Sequence, residues 1–246
     1  MRYVRGVLGL LFKVYVALVF SLTLLLFYLP INLLKRSERT KKKCFNCFVM
    51  WSWCFRCLCF VHPIFRKKSE LPKGPYIIVA NHSSYMDIFL MYSLMSKHPF
   101  LFLGKSEILK YPLVSSFFRE LNIPVFRNDR MKSAKSFIQA RKAIELGWSL
   151  VIFPEGGIPD DHLPKMIPFK DGAFKLAKAA RVPIVPITFT NNYLLFSDPG
   201  DLLGPARPGL SQVYIHPYLS VEEMEPLSVQ ELSDRVFTIV SGELPV

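Results

Sequence analysis

Cysteine is missing from residues 60–246, and acidic side chains are almost missing from residues 1–70, where 13 basic residues face only Glu38 and Glu70. The first absence rules out a secreted fold stapled by disulfides. The second places nearly all of the formal net charge of +12 in the N-terminal segment and leaves residues 71–246 within one charge of neutral. A nucleic-acid-binding domain spreads its cations over a folded face. Here the cations accompany the most apolar stretch of the chain, so a membrane surface, not nucleic acid, is the anionic partner. Repeats and low-complexity tracts are also lacking, and 246 residues allow one domain of ordinary size plus an appendage.

Charge of either sign is missing from Val14 to Leu34, 21 residues that are almost wholly apolar. About 20 such residues span a hydrocarbon core. Lys35, Arg36, Arg39, Lys41, Lys42 and Lys43 follow, with no small-residue cleavage site, so the run reads as a retained anchor. These cations outnumber Arg2, Arg5 and Lys13 on the other flank and place the end near residue 40 on the cytoplasmic side. A second apolar stretch, Cys44 to Phe65, carries tryptophans and Arg56 and ends on Arg66, Lys67 and Lys68, the composition of an interfacial helix. One span plus a surface helix, and a hairpin dipping into one leaflet, both fit. Residues 1–70 are therefore expected to form a two-helix membrane anchor.

All five cysteines lie in that anchor as Cys44, Cys47, Cys54, Cys57 and Cys59. Two CxxC pairs invite a zinc site, but the usual separation between such pairs is about 15 to 20 residues and here it is far shorter. Palmitoylation is another reading. The preferred one treats these cysteines as small apolar residues of a membrane-embedded helix.

Pro72-Lys73-Gly74-Pro75 punctuates the change of composition. From there to residue 246, short β-branched runs (76–80, 100–104, 149–153, 183–189, 213–215) alternate with helical patterns (87–96, 112–121, 132–146, 172–180). Ser228 with Glu231 makes a capping box for a last helix. The alternation predicts an α/β domain with a mainly parallel or mixed sheet covered by helices. The prolines of Val182-Pro183-Ile184-Val185-Pro186-Ile187 suggest an edge strand walling an apolar cavity.

Ligands in open α/β sheets bind beyond the carboxyl ends of strands, so the turns there carry the candidate site. The first is Asn81-His82-Ser83-Ser84-Tyr85-Met86-Asp87. A carboxylate five residues after a histidine can hold one ring nitrogen while the other faces a substrate. This is a general-base pair without its own nucleophile, suited to a substrate hydroxyl that must lose a proton as it attacks. The second is Phe153-Pro154-Glu155-Gly156-Gly157, whose glycines let backbone N–H groups approach an anion. The third, Ile123-Pro124-Val125-Phe126-Arg127, ends on a guanidinium able to grip a phosphate.

NHSSYMD, IPVFR, FPEGG and VPIVPI, in that order and at these intervals, resemble the four acyltransferase blocks of the 1-acylglycerol-3-phosphate acyltransferase family. GKSEILKYPL and PFKDGAFKLAKAA between them look like the same family, and the resemblance covers about residues 71–220. It implies a seven-stranded αβα sandwich, His82 as general base and Asp87 as its orienting carboxylate. It implies Arg127 as the ligand of the acceptor's phosphate, with Glu155, Gly156 and Gly157 in the block associated with acceptor binding. The donor would be an acyl thioester of coenzyme A or acyl carrier protein, with no metal or redox cofactor. Two departures stand out. The third block usually reads FPEGTR, so Gly157 and Ile158 replace a threonine and an arginine, and Leu121 stands where a glycine usually opens the second block. Lys165 or Lys170 could supply the missing cation, or the acceptor could be another lysolipid, such as lyso-ornithine lipid. A catalytically silent lipid-binding protein on the same fold is a further alternative. Lys105 and Lys110 are candidates for docking an acidic carrier.

Overall fold

A computed structural model describes residues 2–35, 37–159 and 163–245. Arg36, one of the cations of the basic cluster, lies outside the described residues. Seven strands form one sheet: β1 (Val61–Lys68), β2 (Ile77–Ala80), β3 (Phe100–Lys105), β4 (Ile123–Val125), β5 (Ser149–Ile152), β6 (Ile184–Phe189) and β7 (Gly209–Ile215). Their order is β1-β7-β6-β2-β5-β3-β4. Among the described strand pairs, only β6–β7 is antiparallel. The helices are α1 (Arg2–Leu34), α2 (Glu38–Leu58), α3 (Met86–Leu94), α4 (Pro112–Leu121), α5 (Arg130–Glu145), α6 (Gly172–Ala180), α7 (Asn192–Leu195), α8 (Val221–Met224) and α9 (Val229–Ser241).

The central strands explain why the expected runs were so apolar. Every residue of β2, β5 and β6 is buried, as parallel strands covered by helices on both faces require. Helix ends follow side-chain chemistry. Asp129 accepts the Lys132 N–H and starts α5 two residues earlier than the apolar period alone suggests. Ser228 and Glu231 form the expected capping box on α9, and Ser220 with Glu223 forms a second on α8.

The N-terminal segment differs from expectation in three ways. Residues 61–68 are the strand β1, paired in parallel with β7, so the sheet begins before the expected boundary at residue 70. The Cys44–Phe65 stretch is correspondingly not one helix, because α2 ends at Leu58. The aromatic face of α2 points inward: Phe45, Phe48, Trp51 and Phe55 are all buried. Phe55 meets Phe89 of α3 at 4.2 Å between centroids, and the Trp51 indole N–H donates to Thr23 Oγ1 of α1 at 3.0 Å. Burial of each such ring contributes about 1.5–3 kcal/mol, more than an exposed interfacial position returns. The spacing of the cysteines also becomes decisive. Cys44 and Cys57 are 13 residues apart along α2, about 20 Å at 1.5 Å per residue, and among the described residues no group of His, Cys, Asp or Glu could hold a metal ion.

One helix among the described residues, over Arg5–Leu34, is long and apolar enough to cross a membrane, and only a third of its most apolar window is buried. It is tied to the domain at two places, about a third of the way along and just past its C-terminal end. The buried Lys13 ammonium donates to Ser197 Oγ (2.8 Å) and to the Asp198 and Asp201 carbonyls. Lys35 reaches the Ser116 carbonyl and lies 3.6 Å from Glu120. The remaining face carries Leu11, Leu18, Leu22, Leu25, Leu29 and Leu33, each more than half exposed. Steps of three, four and seven keep them on one side of the helix.

The edge position expected for the VPIVPI strand is corrected: β6 lies inside the sheet, between β2 and β7. Pro186 is tolerated there because β7 begins to pair only at Ile187↔Ile215, after an isolated bridge at Ile184↔Leu219. Its carbonyl still accepts the His216 N–H at 3.1 Å.

Candidate active site

Strand order alone assembles the site. The parallel strands β6, β2, β5, β3 and β4 are consecutive in the sheet, so their carboxyl ends lie along one rim. Walking along that rim gives Asn192 after β6, His82 after β2, Glu155-Gly156-Gly157 after β5, Lys105 at the end of β3 and Arg127 after β4. Each step between strands is about 4.8 Å.

His82 Nδ1 lies 2.9 Å from Asp87 Oδ2. The same oxygen accepts the backbone N–H groups of Ser83 (2.8 Å) and Ser84 (2.9 Å), and Oδ1 accepts Asn192 Nδ2 at 2.6 Å. Four donors converge on a carboxylate with no exposed side-chain surface. Desolvating an anion is costly unless its lone pairs are occupied, and here they are. With Nδ1 donating to Asp87, Nε2 is left as the acceptor. The ring stacks on Phe153 at 4.1 Å and 14°, and its side chain keeps 13% of its surface exposed. Asn81, beside it, fixes the turn by exchanging two hydrogen bonds with the Phe189 backbone, at 2.9 and 2.8 Å.

Glu155 is buried and holds two loops together: Oε1 accepts the His82 N–H at 2.8 Å and Oε2 the Ile167 N–H at 3.2 Å. Burial pushes its carboxyl up to about 7, against the lowering effect of those two donors. Its place is thus behind the histidine, bracing the backbone. His216, in the β6–β7 layer, shifts the other way: burial, with Lys67 adding to it, pushes its imidazole down to about 4. Its Nε2 lies 2.8 Å from Thr188 Oγ1.

These two groups give opposite pH dependences of stability. The folded chain holds an extra proton on Glu155 between the ordinary 4.5 and about 7, so that contribution is lost as pH rises through 7. It resists protonating His216 between the ordinary 6.5 and about 4, so that contribution is lost as pH falls through this range. Over the shared range the two slopes oppose, and each amounts to about 3 kcal/mol at most. Thermal unfolding should show it: Glu155→Gln should make the midpoint fall on acidification below pH 6.5, and His216→Gln should make it fall as pH rises towards 7. Matching profiles for the two variants would contradict the assignment.

Gly156 has φ +86°, and a Cβ there would stand 2.6 Å from the Arg127 guanidinium. Glycine is required both by the left-handed backbone and by that close packing. The Lys105 ammonium fills the space a side chain at Gly157 would take. The charges of Arg127 and Lys105 both act on Lys170 and, after burial, help lower its ammonium below the usual range; its backbone N–H donates to the Pro154 carbonyl at 3.0 Å. Arg127 and Lys105 therefore flank the Gly156-Gly157 turn, and Lys170 lies within the field of both. The structure brings together all six expected residues, His82, Asp87, Arg127, Glu155, Gly156 and Gly157. It adds Asn192, places Lys105 at the Gly157 turn instead of on a carrier-docking face alone, and sets Lys170 within the field of Arg127 and Lys105, both Lys170 and Lys165 being exposed. Lys105 ends an apolar run as Arg127 does, but only the placing of β3 beside β5 distinguishes it from a solvated surface lysine.

A family model described as Acyltransferase matches residues 62–190. The chain belongs to the acyltransferase family. It is 31% identical, over 73% of its length, to a 1-acyl-sn-glycerol-3-phosphate acyltransferase of Chlamydomonas reinhardtii, and covers 52% of that protein. A 1-acyl-sn-glycerol-3-phosphate acyltransferase of Saccharomyces cerevisiae is also 31% identical, over 69% of this chain and 55% of its own. The chain thus spans about half the length of the curated relatives it matches. Among solved structures, the 1-acyl-sn-glycerophosphate (LPA) acyltransferase PlsC of Thermotoga maritima superposes with a TM-score of 0.74 at 25% identity, covering 98% of this chain and 95% of that one.

Proposed function

We propose that this acyltransferase moves a fatty acyl group from an acyl thioester to the free hydroxyl of a lysophospholipid, with 1-acylglycerol-3-phosphate as acceptor and phosphatidic acid as product. The observation that carries this reading is the pairing, on one sheet rim, of the His82–Asp87 pair with the cations Lys105, Arg127 and Lys170. His82 Nε2 takes the proton of the acceptor hydroxyl as its oxygen attacks the thioester carbonyl. The tetrahedral intermediate collapses with cleavage of the C–S bond, and the imidazolium returns its proton to the departing thiolate. Asp87 holds the tautomer and stabilises the imidazolium; Glu155 and Asn192 position His82 and Asp87. No metal or redox group enters this scheme, since the nucleophile is the acceptor's own hydroxyl.

The positive cluster favours an acceptor carrying a phosphate over lyso-ornithine lipid. Lys105, free to enter the space left at Gly157, replaces the cation lost at Ile158. Arg127→Ala should raise the KM for lysophosphatidate about 10- to 100-fold, as expected for one charge-assisted contact, and leave turnover of an uncharged monoacylglycerol unaffected. Equal losses for both acceptors would remove Arg127 from phosphate binding.

The outward leucine face of α1 supports anchoring in one leaflet. A helix about 50 Å long that is tied to the domain through Lys13 and Lys35 lies along it, and so presents that face to lipid. The basic cluster after α1 supports placing the active domain on the cytoplasmic side.

A further inference from the structure

The inner face of α1 carries a buried ammonium group that the acyl-transfer scheme leaves without a role. Gly6, Gly9 and Lys13, three and four residues apart, share one side of the helix and lie against the loop 197–206. A Cβ at Gly9 would stand 3.2 Å from the Gly204 carbonyl oxygen, so the helix backbone rests directly on that loop. Burying an ammonium is costly unless every proton finds an acceptor. The three protons of Lys13 have three: Ser197 Oγ at 2.8 Å, the Asp198 carbonyl at 3.2 Å and the Asp201 carbonyl. The loop is closed by the Ser197 N–H donating to the Pro205 carbonyl at 2.9 Å. It is also tight, since a Cβ at Gly204 would collide with Ser197 Oγ and Asp201.

The residue before Ser197 seats the catalytic turn. The Phe196 carbonyl accepts Ser84 Oγ at 2.7 Å, and the Phe196 N–H donates to the Asn192 carbonyl at 2.9 Å. Ser84 N–H and Asn192 Nδ2 then donate to Asp87 at 2.9 and 2.6 Å, one to each carboxylate oxygen. Two of the four donors that fix the partner of His82 therefore depend on where Phe196 lies.

We propose that Lys13 is a positioning residue for acyl transfer: by holding Ser197 it fixes the Phe196 backbone, and through Ser84 and Asn192 the Asp87–His82 pair. This role rests on the acyltransferase reading above and adds to it a residue of the lipid-facing helix, remote from the reacting atoms. The connection is short, one side-chain bond, one peptide and two hydrogen bonds on each branch. Lys13, Ser197, Phe196, Ser84, Asn192 and Asp87 are all buried, and a close-packed interior passes a displacement of the loop on to the turn. Anchoring alone needs only apolar packing, which α1 has along the rest of its inner face. A buried cation with every donor matched instead selects one geometry. The second tie of α1, from Lys35 to the Ser116 carbonyl, leads to α4 instead and serves as an internal control.

The test uses the full, detergent-solubilised chain. Lys13→Met should lower kcat about 10- to 100-fold, the cost of a misplaced catalytic group, with little change in KM for thioester or lysophosphatidate. Ser197→Ala keeps Lys13 with its two carbonyl acceptors and guards against a Lys13 variant that fails to fold; one lost hydrogen bond should cost about 3- to 10-fold in kcat. Lys35→Met should leave kcat unchanged. Lys13→Met combined with Asn192→Ala should be no worse than the more damaging of the two alone, because both act through Asp87. Unchanged kcat in Lys13→Met and Ser197→Ala, equal losses in Lys13→Met and Lys35→Met, a defect confined to KM, or losses that multiply in the double variant would each overturn the proposal. Nitrogen-15 NMR of the neutral imidazoles, with His82 assigned by its absence in His82→Ala, gives a readout independent of turnover. The proton should sit on Nδ1 in the wild type and be shared between both tautomers in Lys13→Met; an unchanged tautomer also overturns the proposal. If the wild type turns over no thioester, the acyltransferase reading fails, while the tautomer still decides whether Lys13 positions the pair.

Discussion

His82→Ala should lower thiol release from an acyl thioester by about 10³-fold while leaving the thermal midpoint within a few degrees of the wild type. Loss of a positioned general base costs about 10²–10⁴-fold. The side chain is near the surface, with one hydrogen bond to Asp87 and one stacking contact on Phe153, so its removal leaves the core intact. Thiol trapping, followed beside circular dichroism, gives both readouts. Turnover retained within tenfold would mean that the acceptor hydroxyl is activated by something other than this imidazole.

Asp87→Asn should be nearly as damaging, about 10³-fold or more in kcat, for a different reason. The oxygen facing His82 also accepts Ser83 and Ser84 N–H groups, so an asparagine must keep its oxygen there, and its amide then meets the Asn192 amide donor. If the amide turns over instead, it donates to Nδ1 and forces the proton onto Nε2, the tautomer unable to accept from the substrate. Either arrangement leaves a buried donor opposed by a donor, costing about 1–3 kcal/mol of stability. Both losses should appear together: a lower unfolding midpoint, and a kcat defect with little change in KM. A defect confined to KM would place Asp87 in substrate binding instead.

The fold was legible wherever hydrophobic period and local chemistry agreed. Helices α4 and α6 and strands β2, β3, β5 and β6 fall within a residue or so of the apolar runs that predicted them, since burial on both faces leaves few other ways to write such strands. Strand β1 was not legible. It contains Pro63 and ends on three cations, and what makes it a strand is parallel pairing with β7, nearly 150 residues away. The inward turn of the α2 aromatics was hidden for a similar reason: tryptophans beside cations look the same whether they face lipid or Phe89 and Thr23. The interior position of β6 could not be read from its prolines either, because only the late start of the β7 ladder makes Pro186 harmless.

At the site, His82, Asp87, Arg127 and Glu155 could be found because each lies in a turn after an apolar run. Lys105 could not be told from a solvated surface lysine until β3 was placed between β5 and β4, which brings its ammonium over Gly157. Asn192 follows β6 by three residues, and its link to Asp87 depends on β6 and β2 being neighbours. The role of Glu155 also changes once its partners are known. Both oxygens are taken by backbone N–H groups of His82 and Ile167, which fits a brace better than a direct ligand of the acceptor.

The central claim is acyl transfer from a thioester to a hydroxyl on a phosphate-bearing lysolipid. Its most direct test follows released thiol and lipid product together, using the purified wild-type chain with a long-chain acyl thioester, with and without lysophosphatidate. The account expects thiol release that depends on the acceptor and one phosphatidic acid formed per thiol. Thiol release at the same rate without acceptor, or acylation of a lysolipid lacking the phosphate in preference to lysophosphatidate, would contradict it.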